Sequence, residues 1–129
     1  MSDDAYKRYV SINLPHARTV VARVGRSLEA LGGFGDGGNG GPSELGRAYD
    51  AVEQSVRDWN EDPAMDEAIK VADLVAERAR ALVAAIGATT VRSDRLGQHV
   101  RNLFECLGLA SEGAALSLQC GERSDSPLR

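Results

Sequence analysis

The stretch LGRAYDAVEQSVRDWNEDPAMDEAIKVADLVAERARALVAAI, residues 45–86, decides the fold. Leu45, Tyr49, Val52, Val56 and Trp59 recur at intervals of 4, 3, 4 and 3. After one break Met65, Ala68, Ala72, Val75, Ala79, Leu82 and Ile86 continue at 3, 4, 3, 4, 3 and 4. Apolar residues at that spacing line one face of a helix, so two seams divided at a turn predict a helical hairpin. Ser43 is placed to cap the first helix, which runs to about Asn60. Asp62 followed by Pro63 reads as the N-cap and first residue of the second, with Asp66 and Glu67 near the positive end of its macrodipole. Gly87 is expected at its C′ position. Val71 and Leu74 lie off the main seam, and Ile69, Ala76 and Val83 flank it, so the stripe is wider than one partner needs. A third helix or another subunit would use the extra face.

On either side of the hairpin the pattern is shorter. Residues 9–14 alternate, with Val10, Ile12 and Leu14 on one side, which predicts a short extended lead-in. Pro15 is expected at the first position of a helix that carries Ala17, Val20, Val21, Val24, Leu28 and Leu31 on one face. Gly25 weakens that helix unless a neighbour packs too close for a side chain. Residues 32–42 contain seven glycines and predict a flexible loop. No strand leads into it and no Gly-Lys-Ser or Gly-Lys-Thr closes it, which argues against phosphate binding. Beyond the hairpin, Ser93 or Asp94 can cap a helix with Leu96, Val100, Leu103 and Leu107 on one face, ended by Gly108. Residues 111–119 predict a short helix, although Leu116 and Leu118 would also alternate in a strand. Residues 121–129 predict a disordered tail. The expected architecture is all-α: a helical hairpin extended to a bundle of about four helices, one domain over residues 1–120.

Composition narrows the function. The chain has 129 residues, 5% of them aromatic, and a formal charge of −4. A net acidic chain lacks the surplus of Lys and Arg that nucleic-acid binding requires. Charge is unevenly spread: residues 43–73 hold nine acids against Arg47, Arg57 and Lys70, whereas residues 16–31 carry Arg18, Arg23 and Arg26 against Glu29. The first helix is therefore expected to dock on the hairpin with weak electrostatic help. No stretch approaches the roughly 20 apolar residues that span a bilayer. No secretory signal opens the chain, so synthesis in the cytoplasm is expected, with any export by a route independent of a signal peptide.

Little in the sequence suggests chemistry. His16 and His99 are the only histidines and read as structural or solvated. Two helical turns separate His99 from Cys106, too far for a dyad within one helix. Cys106 and Cys120 lack zinc-site spacing and read as two reduced thiols, a disulfide formed after export being the alternative. Glu61, Asp62, Asp66 and Glu67 carry no glycine-punctuated calcium loop and read as a solvated acidic surface. No catalytic residue, cofactor or metal is expected. Trp59, the single tryptophan, either plugs the hairpin end or serves as an aromatic anchor for a partner.

The lead-in Val10-Ser-Ile-Asn-Leu-Pro15, Trp59 at the turn and the long Ala-rich second helix resemble the small helical-hairpin proteins of type VII secretion, the Trp-x-Gly family. The turn here reads Trp59-Asn60-Glu61, and Tyr49 and Glu53 take the family's export spacing on the helix before the tryptophan. The resemblance implies a non-enzymatic protein that pairs with itself or with a protein partner, Trp59 lying near the recognition end; Val71 and Leu74, off the main seam, are the residues expected at the contact. The alternative is a cytoplasmic regulatory or inhibitor protein, phage-borne or toxin-neutralising, that binds through Glu61, Asp62, Asp66 and Glu67. A small-ligand sensor or enzyme ranks third.

Overall fold

In the computed structural model of the chain, the structure describes residues 3–32, 44–57, 65–89 and 92–121. Ser43, Asn60, Pro63, residues 33–42 of the Gly-rich loop and residues 122–129 lie outside the described residues, so the expectations there are left open. The fold is all-α, and the described residues form five helices in the order α1 (Asp3–Ala30), α2 (Glu44–Arg57), α3 (Met65–Gly87), α4 (Asp94–Cys106) and α5 (Ala110–Ser117). Helices α2 and α3 pack against each other as the hairpin predicted. Helix α1 packs on α2, α3 and α4, and α5 folds back on α4.

One continuous core joins these elements. Leu45, Tyr49, Val52 and Val56 of α2 and Ala68, Ala72, Val75, Ala79, Leu82 and Ile86 of α3 are all buried, so both seams face inward. Ala76 and Val83 are buried as well, which accounts for the breadth of the α3 stripe. At about 1.5 Å per residue α3 is a rod of about 35 Å.

The N-terminal expectation is corrected. Residues 9–14 are helical, and Pro15 sits inside α1 rather than at its start. Val10 and Leu14 fit an alternating pattern, but they are also four residues apart and continue through Ala17, Val21, Val24 and Leu28 at helical spacing. All six are essentially fully buried, while Ile12 is 62% exposed. An interior proline costs about 3 kcal/mol, and burying Val10 and Leu14 contributes a comparable amount in the other direction. The helix also stops one residue early: Leu31 lies in the turn, 40% exposed, and Gly32 takes φ +76°.

Two other ends differ in their capping. Gly87 is the last residue of α3 and has no positive φ. Its neighbourhood is closed by side chains instead: Thr89 Oγ1 donates to the Ile86 carbonyl at 2.8 Å and Arg92 donates to that of Gly87. The Ser93 cap is as expected, its Oγ accepting from the Leu96 N–H at 3.0 Å. Gly108 ends the α4 corner with φ +77°. Ser93→Ala should cost about 1 kcal/mol of stability in urea unfolding.

Charge at the α1–hairpin contact takes an unexpected form. Arg18 donates from Nε (3.3 Å) and Nη2 (3.1 Å) to the Val56 carbonyl in the last turn of α2. It thus satisfies a backbone acceptor that the helix end leaves open. Across the bundle, Arg80 of α3 holds Glu112 of α5 through two bonds of 2.5 and 2.9 Å. That contact keeps the Glu112 carboxyl below its ordinary range.

Candidate functional site: the outer face of α3

Helix α3 is buried along one side, and its other side is accessible. Leu74 is 39% exposed and Val71 is half-buried next to it. Toward the C-terminus the same outer face carries Ala81, Ala84 and Ala88, all exposed, with Ala85 half-buried between them. These alanines meet Leu45 and Ala48 of α2 in a groove of about 600 Å³. The outer face thus offers two branched apolar side chains at one end and, at the other, an alanine-lined groove that Glu44, Arg47 and Thr89 also border. Alanine removes the side-chain bulk that keeps helices apart and loses no rotamer freedom on contact, which suits close helix approach.

The predicted partner-binding residues divide. Val71 and Leu74 share this face. Glu67, one turn before Val71, is exposed in the first turns of α3. Trp59, Glu61 and Asp62 lie outside the described residues, as does the side chain of Asp66. The alanines were missed as site residues because each one, taken singly, reads as an ordinary helix former. Their spacing of three and four residues was the available signal.

The candidate chemical groups remain apart in character. His16 is exposed. The His99 Nδ1 is buried without a hydrogen-bond partner. Burial, and then the charges of Arg23 and Arg95, lower its proton affinity, which favours the neutral imidazole. Cys106 and Cys120 are both free thiols. Burial raises the Cys106 pKa and pushes that of Cys120 up to about 11, so both are held protonated rather than as nucleophilic thiolates. Among the described residues no cluster of His, Cys, Asp or Glu has metal-site geometry, and no helix is long and apolar enough to cross a membrane.

Compared with known proteins, the chain matches no family model, no curated protein and no solved structure.

Proposed function

We propose that this chain is a non-enzymatic helical protein that acts by pairing, with itself or with a protein partner, through the outer face of α3. The observation that carries this reading is Leu74, 39% exposed beside half-buried Val71 on the longer helix of the hairpin. A large apolar side chain held out of the core on a rigid helix gives up little entropy when a partner covers it. A type VII secretion setting is the biological context we favour, on the sequence resemblance of the α2–α3 hairpin with Trp59 between its helices. The helical state of residues 9–14 removes one element of that resemblance, the extended lead-in.

Light scattering on the purified chain, followed by capture from a host lysate, tests the reading. The expected results are a dimer mass or a co-purifying secretion component. Leu74→Glu should abolish that assembly with the helical circular dichroism unchanged, because an exposed position tolerates charge in the monomer. Assembly that survives Leu74→Glu and Val71→Glu removes the α3 face from the function. Loss of partner binding on Glu67→Gln instead would favour the regulatory reading through the acidic surface.

A further inference from the structure

We propose that the hollow between the first turns of α1 and the α4–α5 corner binds a small quaternary ammonium ion. The hollow encloses about 340 Å³ and is lined by Ala5, Tyr6 and Tyr9 of α1 together with Glu105, Gly108 and Ala110. That volume exceeds what a trimethylammonium group and a short tail fill.

Its walls are set before any ligand arrives. The Tyr9 hydroxyl donates to the Glu105 carbonyl at 2.9 Å, and the Tyr6 hydroxyl to the Leu107 carbonyl at 3.3 Å. The first bond ties a phenol to the last turn of α4 and the second ties one to the C-cap just beyond it, and both rings line the hollow. Gly108 permits this approach: a Cβ there would lie 2.7 Å from Tyr6 Cε1, and its φ of +77° suits glycine. Both rings are thus positioned by contacts between residues about a hundred positions apart in sequence, Tyr9 remaining 45% exposed.

The chemistry of the lining selects the charge. Aromatic faces carry negative quadrupole density and attract a cation within about 6 Å. Glu105 supplies a carboxylate at the wall, and Asp73 acts on the same region, since its charge adds to burial in raising the Tyr6 pKa. Among the described residues Glu105 pairs with Arg101, whose Nε lies 3.5 Å from Oε1; both side chains are more than two-fifths exposed, so water screens the pair. No cationic side chain lines the hollow itself among the described residues. The alanine and tyrosine surfaces give no replacement for the tight water shell of a small inorganic cation. A methylated ammonium carries weakly held water and an apolar skin that match them.

The test is a nuclear magnetic resonance titration of the full chain with choline and with its neutral isostere 3,3-dimethyl-1-butanol. Choline should saturate with a dissociation constant in roughly the millimolar range and shift the signals of Tyr6, Tyr9, Glu105 and Gly108. The isostere should bind about ten-fold more weakly. Tyr9→Leu and Glu105→Gln should each weaken choline by roughly five- to ten-fold while urea midpoints show the bundle intact. Equal binding of the two compounds overturns the proposal in favour of a merely apolar hollow. Shifts induced by acetate but not choline overturn it in favour of an anion at the start of α5. Binding to phosphatidylcholine vesicles without saturation by free choline overturns the small-molecule occupant.

Discussion

Phe104→Ala is expected to lower the unfolding free energy by about 3–5 kcal/mol. Phe104 is fully buried and heads the bulkiest side chains of the core. It stands on α4 beside Leu103 and Leu107, also buried, with α5 pressed against it: a Cβ built on Gly113 would lie 2.6 Å from the Phe104 Cβ. The corner closes over the same residue, whose carbonyl accepts from the N–H groups of Leu109 (2.8 Å) and Leu107 (3.1 Å). Those backbone bonds keep the corner in place after truncation, so the wall cannot collapse into the space the ring leaves. A cavity that does not relax falls at the costly end of the range. For a domain of this size, whose whole stability is of order 6–19 kcal/mol, that is a large share. A melting-temperature drop of roughly 10–20 °C should accompany it. Leu118, 80% exposed, provides the control. Leu118→Ala should change stability by less than about 0.5 kcal/mol. A loss below 1 kcal/mol for Phe104→Ala would mean that α4 and α5 do not share the core with α1 and α3.

Helix existence was readable wherever the apolar spacing admitted one period. The seams of α2 and α3 and the row Leu96, Val100, Leu103 and Leu107 of α4 and its C-cap have no competing alternation, and every one of these positions whose side chain is described is buried. Ser93 and Gly108 announced the ends of α4 because each has one dominant use, as a side-chain acceptor and as a residue free to take positive φ. Residues 9–14 were ambiguous, since Val10 and Leu14 suit both periods and Pro15 looks like a start signal. Only the three-dimensional fact that α1 lies across α4 resolves them, and sequence spacing carries no record of it. The Tyr6 and Tyr9 site was unreadable for the same reason: its partners sit at the opposite end of the chain. The α3 face was half readable. Val71 and Leu74 stood out from the seam, whereas the outer alanines were marked by their spacing alone.

Gly25→Ala is expected to destabilise the bundle by about 1–3 kcal/mol, against the sign that helix propensity alone predicts. Within an isolated helix the same change is favourable by about 1 kcal/mol. Here the glycine lies on α1 under the ring of Tyr49 from α2. A Cβ would strike Tyr49 Oη and stand 2.5 Å from Cζ and 3.2 Å from Cε1. Moving Tyr49 aside toward the open groove that it and Gly25 line has a cost: it is 7% exposed, and its hydroxyl donates to the Val21 carbonyl at 3.0 Å, one turn before Gly25. Burial first, and then Glu53, push its pKa up to about 12, so the phenol stays neutral and remains a donor at ordinary pH. The methyl group would therefore force the ring outward and break the buried hydrogen bond that the Tyr49 hydroxyl donates to the Val21 carbonyl, a carbonyl that keeps its own bond within α1. A double-mutant cycle separates this contact from propensity. Tyr49→Leu alone should destabilise, through lost packing and the lost bond. Gly25→Ala in the Tyr49→Leu background should then be neutral or stabilising, leaving a coupling of at least about 1 kcal/mol in urea unfolding. If Gly25→Ala stabilises the chain that retains Tyr49, α1 and α2 do not meet at this position, and the placement of α1 on the hairpin is wrong.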